Sequence, residues 1–288
     1  MDSAPNHSGG DYAPTLVDTS RPHPARMYDA YLGGKDNYAA DRAAVEHVLA
    51  TVPEIRDIAL ANRAFMRRVV RRLAKEKGIS QFLDIGTGIP TSPNVHEVAA
   101  EYAPGARVVY VDNDPIVHAH ANALLTGTGA TKIVLADLRD PRTIIAEALG
   151  FLDFTRPIAL LLVAILHFLP NEDDPAGIVA TLRDALPAGS WLALSHGTTD
   201  FHPAEVTTPA AAAYDRAPAP LVLRPREQIE GFFDGFILES PGIVQAPLWH
   251  PDTRRRPKDL MKIGIYAGAA VKNLLSAPLL FFRPNGRG

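Results

Sequence analysis

The 288-residue chain contains no cysteine. Disulfides, thiolate nucleophiles and cysteine-built zinc sites are therefore excluded. An excess of either charge is also missing: 29 Lys and Arg stand against 32 Asp and Glu, a formal net charge of −3. Nothing draws the chain as a whole toward nucleic acid or an anionic membrane, and neither partner is expected. The most apolar run, Ile158 to Leu169, is too short to span a bilayer and contains His167. Met1 to Ser20 lacks the basic start and apolar stretch of a signal peptide, so a cytoplasmic location is expected. No internal repeat is present. Apolar residues are plentiful at 47%, enough for the core of one α/β domain with additions.

Residues 1–20 read as a flexible tail. Residues 21–78 read as an N-terminal helical cover. Its first helical stretch, Pro24 to Leu49, is broken at Gly33-Gly34 and carries Tyr28, Tyr31 and Tyr38 close to charges. A second helix opens at Pro53 and ends near Lys77-Gly78. In it Ile55, Ile58, Ala59, Asn62, Phe65, Met66, Val69, Val70 and Leu73 share one face. Arg67, Arg68, Arg71, Arg72 and Lys75 fall mostly on the other, which reads as a solvated face.

From residue 79 to 270 short apolar runs alternate with amphipathic segments. Strands are predicted at Gln81–Ile85, Arg107–Asp112, Lys132–Ala136, Pro157–Val163, Trp191–Ser195, Phe236–Val244 and Lys262–Ala267. Helices are predicted at Pro93–Tyr102, Pro115–Leu125, Thr143–Leu149, Pro175–Leu186 and Pro225–Phe233. Ser92 is the expected N-cap of the first, with Pro93 at its first position. Strands this apolar, separated by helices, predict a seven-stranded, mostly parallel sheet covered on both faces. The last two strands suit an antiparallel hairpin at the sheet edge. Residues 203–224, rich in Ala and Pro, read as an insertion near the substrate opening. Residues 271–288 read as a tail.

The chemistry concentrates at Asp84-Ile85-Gly86-Thr87-Gly88, where an apolar strand enters a glycine turn that feeds a helix. Glycine lets backbone approach a ligand and adopt positive φ without strain. An isolated G-x-G also suits an ordinary strand–helix turn. A dinucleotide fingerprint needs a third glycine, and Thr91 stands in its place. Pyrophosphate also disfavours a nearby carboxylate, whereas a ligand carrying an ammonium and a sulfonium would welcome Asp84. The second strand ends at Asp112-Asn113, where an acid can accept both hydroxyls of a ribose. The third ends at Asp137-Leu138, an acid for an adenine amino group and an apolar side chain for its ring. Acids at successive strand ends beside a glycine loop point to one nucleoside ligand, S-adenosylmethionine rather than NAD.

These residues resemble class I S-adenosylmethionine-dependent methyltransferases, which share a Rossmann-like fold. The segments Pro24 to Tyr38, Asn94 to Glu97 and Tyr110 to Pro115 resemble more closely an actinobacterial family of predicted methyltransferases, formerly known only as a domain of unknown function. The resemblance spans about residues 21 to 268. It implies that Asp84, Gly86, Thr87 and Gly88 hold the methionine part, Asp112 and Asn113 the ribose, and Asp137 and Leu138 the adenine. Tyr31, Gly34 and Asn37 of the cover would contact the cofactor, and Arg63 is a candidate for its carboxylate. Residues after the fourth strand, beginning at Ala164, would border the transferred methyl.

The segment Ala164 to Pro170 has no Asn- or Asp-Pro-Pro-aromatic motif of the kind used to methylate bases in nucleic acid. It resembles the corresponding segment of small-molecule methyltransferases. Methyl transfer needs mainly alignment, and proximity can supply about 7–11 kcal/mol. His167 is the candidate base, weighed against a histidine that is simply packed and hydrogen-bonded. His196, Asp200 and His202 could ligate a metal, but lining of the substrate pocket is the preferred reading and no metal is expected. Two alternatives stand beside a small-molecule methyltransferase: an NAD-type oxidoreductase, and a non-catalytic cofactor-binding regulator that docks through the arginine face. The acceptor's identity and the oligomeric state leave no mark in the sequence.

Overall fold

The computed structural model describes residues 18–125, 129–212, 214, 217, 219–253 and 259–273. The tails expected at 1–20 and 271–288 lie outside these apart from three residues each.

Strand β1 (Gln81–Ile85) pairs in parallel with β2 (Arg107–Asp112) and with β4 (Ala159–Val163). Outward from these lie β3 (Thr131–Leu135) beside β2 and β5 (Trp191–Gly197) beside β4, both parallel. Strand β8 (Ile265–Lys272) runs antiparallel to β5. Strands β6 (Phe236–Leu238) and β7 (Val244–Gln245) both pair with β8. The order is β3-β2-β1-β4-β5-β8-β6, with β7 off this path. The sheet has eight strands because the predicted strand Phe236–Val244 splits at a turn that contains Pro241; proline cannot donate to a ladder. Strands β3 and β6 stand at the two ends of this order, and β8 lies inside β6.

The sheet is buried on both faces because successive side chains alternate. Phe82, Val108, Tyr110, Leu161 and Ala193 face one core with α3 (Ile55–Lys77), α4 (Val95–Ala100) and α5 (Pro115–Leu125). Leu83, Val109, Leu160, Leu162 and Leu192 face the other with α6 (Pro141–Leu149), α7 (Pro175–Ala185) and α9 (Arg226–Gly231). This is the Rossmann-like arrangement expected. Its strand order reverses between β1 and β4, where open α/β sheets bind ligands.

Two local expectations need correction. Helix α4 begins after Asn94, not Ser92: the Glu97 carboxylate accepts from the Asn94 backbone N–H and from its side-chain amide, closing a capping box. The arginine face of α3 is not solvated throughout. Arg68 is buried and donates to the carbonyls of Trp249 (2.9 Å) and Ala246 (2.6 Å). Arg72 pairs with Glu239 at 3.0 Å and Arg71 with Asp252. Arg68, Arg71 and Arg72 of this face therefore bind the segment that crosses from β6 to β8.

Helices α1 (Pro24–Tyr31) and α2 (Ala39–Thr51) pack together ahead of α3. Their link turns on Asp29, whose carboxylate accepts from Asp36 N–H (3.0 Å) and the Asn37 amide (2.8 Å). A Cβ on Gly34 would fall 1.9 Å from the Asp29 carboxylate, so only glycine fits beneath it. Arg26 binds the pair to α5, lying 3.5 Å from Asp41 and 3.6 Å from Asp114, all three nearly inaccessible.

Candidate functional site

A cavity of about 420 Å³ opens at the switch point. Its walls divide by origin. The ends of β1, β2 and β3 supply one half, from Asp84 to Gly88, Asp112, Asn113, Asp137 and Leu138. Helices α1 and α3, the end of β5 and residues 198–223 supply the other, which includes Tyr31, Ile55, Phe168, His202, Tyr214 and Leu221. Arg63, Ala164 and His167 also line it.

The glycine loop is fixed from behind. Gly86 and Thr87 donate backbone N–H bonds to the Val111 carbonyl at 2.8 and 3.2 Å. Gly86 has φ +75°, and a Cβ there would meet Ile165 at 2.5 Å. Gly88 has φ +67° with open space where a Cβ would stand. Its N–H donates to Asp112 Oδ2 at 2.8 Å, while Asp112 Oδ1 accepts from Asp114 N–H. The loop and the second acid are thus one hydrogen-bonded unit. Burial pushes the Asp112 carboxyl up to about 6, against the pull of those N–H bonds.

Asp84 is 8% exposed, and no protein hydrogen bond reaches its carboxylate among the described residues. Burial pushes it up to about 7; Arg63 works against the shift and Asp112 adds to it. Arg63 donates to the carbonyls of Thr91 and Pro93, but its Nε is buried without a partner. Burial lowers the Arg63 pKa. An unpartnered carboxylate and an unpartnered guanidinium N–H on one cavity wall suit a zwitterion, ammonium toward Asp84 and carboxylate toward Arg63. A pyrophosphate would instead meet the Asp84 charge without a third glycine at Thr91. At β3, burial raises the Asp137 pKa, but bonds from Arg139 N–H, Asn113 and the Arg139 guanidinium outweigh it and hold the carboxyl below its ordinary value. Asp137 therefore stays ionised as an acceptor, beside buried Leu138.

Ala164 follows β4 with φ +58°, a region that costs a non-glycine residue about 1–3 kcal/mol. A buried chain holds it there: Ala164 N–H donates to Ser195 Oγ (2.9 Å), Ser195 Oγ donates to Asn62 Oδ1 (2.6 Å), and Asn62 Nδ2 donates to the Tyr28 hydroxyl (2.9 Å). Asn62 and Ser195 are thus site residues that sequence reasoning missed. Asn62 appears in the helical pattern only as one more inward position, and Ser195 as the end of a strand.

The histidines differ sharply. His167 Nδ1 accepts from Gly197 N–H at 3.1 Å, so its proton sits on Nε2 and the ring is a donor. Burial, with help from Arg224, pushes its pKa down to about 3. Its expected role as a base therefore fails on tautomer: the lone pair is already used. His196 is fully buried, with Nδ1 on the Gly197 carbonyl (2.6 Å) and Nε2 accepting from Arg224 (3.1 Å). Asp200 accepts from Arg226 N–H and His202 pairs with Glu54, so the candidate metal trio points three ways. Among the described residues no cluster of three metal-ligating side chains forms. Tyr31 lines the cavity, and its hydroxyl meets that of Tyr214 at 2.9 Å. Gly34 and Asn37 do not line the cavity; Asn37 is spent on Asp29 and the Arg42 guanidinium.

The chain matches the family model described as S-adenosyl methyltransferase over residues 11–273. A DUF574 family protein from Streptomyces avermitilis MA-4680 is 47% identical, with a TM-score of 0.85, covering 89% of this chain and 99% of that one. A protein from Thermobifida fusca YX, described as a candidate methyltransferase, is 40% identical with a TM-score of 0.84, covering 91% and 99%. A search of curated proteins returned no match. With its glycine loop, its acids at successive strand ends and this likeness along nearly its whole length, the chain belongs to the S-adenosyl methyltransferase family.

Proposed function

We propose that this methyltransferase works in the cytoplasm on a small-molecule acceptor, and that its cavity receives cofactor and acceptor at opposite ends. The observation that carries the reading is the Asp84 carboxylate, without a protein hydrogen bond among the described residues, with the Arg63 guanidinium on the same cavity wall, beside a glycine loop with open space above Gly88. Asp84 would take the cofactor's ammonium, Arg63 its carboxylate, Asp112 the ribose hydroxyls, and Asp137 with Leu138 the adenine. Bound there, S-adenosylmethionine supplies a methyl already activated on a sulfonium. The chain's task is then to align the acceptor and exclude water. Ala164, held by Ser195, and the His167 Nε2–H donor would border the reacting atoms.

The acceptor end favours a small molecule. Its wall is mainly apolar, with Ile55, Ile58, Phe168, Leu221 and Leu223, and Thr198, Thr207 and Ala219 also line it. A polymer's charged backbone would find Arg68, Arg71 and Arg72 of α3 already engaged by the chain itself. No helix among the described residues is long and apolar enough to cross a membrane. We divide the chain into a helical cover (21–78), a cofactor-binding sheet (79–270) and an acceptor-side insertion (203–224). Isothermal titration with S-adenosylhomocysteine tests the cofactor half: D84N and R63M should each weaken binding at least tenfold. Unchanged affinity in both would sink the assignment.

A further inference from the structure

With His167 locked as a donor, a second histidine on the same wall becomes informative. His202 lies in the loop between β5 and α8 (Ala204–Ala212) and lines the acceptor half of the cavity. Its Nε2 stands 3.1 Å from Glu54 Oε1, with side-chain exposures of 12% and 17%. A carboxylate only accepts, so Nε2 carries the proton and Nδ1 keeps its lone pair. Nδ1 has no protein hydrogen-bond partner among the described residues. The ring is held in place: a Cβ on Gly264 would lie 3.0 Å from both Cε1 and Nδ1, so glycine makes the room the imidazole occupies. An imidazole with one nitrogen fixed by a carboxylate and the other without a protein hydrogen bond is the arrangement of a general base.

We propose that His202, oriented by Glu54, is the proton acceptor of the reaction, and that the acceptor substrate is an apolar ring compound bearing a hydroxyl. The proposal rests on the small-molecule methyltransferase reading above. The hydroxyl follows from the base: an amine can attack a sulfonium unaided, whereas a hydroxyl oxygen gains most from losing its proton as it attacks. The ring follows from the wall around it, where Tyr31, Phe168 and Tyr214 stand with Ile55, Leu221 and Leu223. In the step, the oxygen forms a bond to the methyl carbon and the carbon–sulfur bond breaks with its electron pair left on sulfur. The hydroxyl proton moves to His202 Nδ1, and the imidazolium so formed is stabilised by Glu54 and later returns its proton to water. The neighbouring charges do not compete for this nitrogen. Asp200, on the same loop, is bonded to Arg226 N–H and stands against Tyr266; Gly264 and Ile265 next to β8 and Ile55 of α3 carry no charge.

The test uses the full chain loaded with S-adenosylhomocysteine and 4-nitrophenol as the probe, whose phenolate absorbs apart from the phenol. Wild type should bind it with its ionisation displaced by at least tenfold toward phenolate. H202Q and E54Q should bind it as the neutral phenol. Ring-nitrogen NMR should show His202 as the Nε2–H tautomer in wild type, and E54Q should lose that tautomer preference while leaving the other histidines in place, which also shows that the variant folds. Nitrophenol that stays neutral in wild type, that ionises equally in H202Q, or that does not bind the loaded protein overturns the proposal. Loss of S-adenosylhomocysteine binding in wild type would instead overturn the methyltransferase site itself.

Discussion

Cofactor affinity should depend on pH through one buried carboxyl. Burial pushes Asp84 up to about 7 in the empty site, with Arg63 opposing and Asp112 adding to the shift. A ligand that brings an ammonium and a sulfonium binds the ionised form. The apparent dissociation constant then grows by the factor 1 + 10^(pKa − pH): about tenfold at pH 6 and about a hundredfold at pH 5, or roughly 2.7 kcal/mol. The linkage sign agrees. A folded-state pKa raised above the ordinary 3.8 gives stability that is complete below that value and lost as pH rises through about 7. The empty protein is therefore destabilised by ionised Asp84 at neutral pH, and a cation bound beside it offsets that cost. Calorimetry from pH 5 to 7.5, below the usual α-amino range, reads the slope; near pH 7 about half a proton should be released per ligand bound. D84N should abolish most of the slope and leave the residual one from Asp112, which burial pushes to about 6. A wild-type affinity flat across this range, or an undiminished slope in D84N, would refute the reasoning.

Three further changes test the frame around the site. G86A places a methyl 2.5 Å from Ile165 at φ +75°; overpacking of about 1–3 kcal/mol should lower both the melting temperature and S-adenosylhomocysteine affinity. S195A removes the hydroxyl that donates to Asn62 Oδ1, leaving that buried acceptor unpaired at about 1–3 kcal/mol, while Ala164 N–H keeps its bond to the Ser195 carbonyl; thermal melts read the loss. R68M removes both donors from the Arg68 guanidinium and leaves the Trp249 carbonyl without its partner, and should lower the melting temperature by several degrees without changing cofactor affinity, since Arg68 does not line the cavity.

The glycine-loop half of the cavity was legible because its parts are local. A strand, a glycine turn and an acid two residues before the first glycine lie in five consecutive positions, and Asp112 and Asp137 end strands whose apolar runs mark them. Strands β1 and β2 and helix α5 carry the predicted ends for the same reason. The misreadings involve partners far away in the chain. Arg68 has the spacing of a solvated residue until Trp249, 181 positions later, brings its carbonyl to it. Gly33-Gly34 reads as a helix break, but which acid fills the gap above Gly34 depends on how the turn closes over Asp29. His167 follows the fourth strand where a base would be useful; the donor that disarms it is Gly197 N–H, thirty residues on. A histidine's tautomer is set by its partners, and no spacing records them.

The same distinction separates what the two ends of the cavity can change. The cofactor end is one hydrogen-bonded unit of β1 and β2 residues, Gly86, Thr87, Gly88, Val111 and Asp112, in which a substitution disturbs its neighbours. The acceptor end is assembled from three separate stretches: α1 with α3, the end of β5, and residues 198–223. They meet through a few contacts, such as Tyr31 with Tyr214 (2.9 Å) and His202 with Glu54 (3.1 Å), while Arg224 donates to the carbonyls of Leu166 (3.2 Å) and Leu169 (2.8 Å). Arg224 also reaches Asn171 Oδ1 at 2.7 Å, so the insertion is clamped to the turn that carries His167. Apolar substitutions at Leu221 or Leu223 reshape the acceptor wall without touching the loop that binds Asp112. They should therefore alter acceptor preference while leaving S-adenosylhomocysteine affinity within about twofold, and a parallel loss of both would mean that the two ends are not separable.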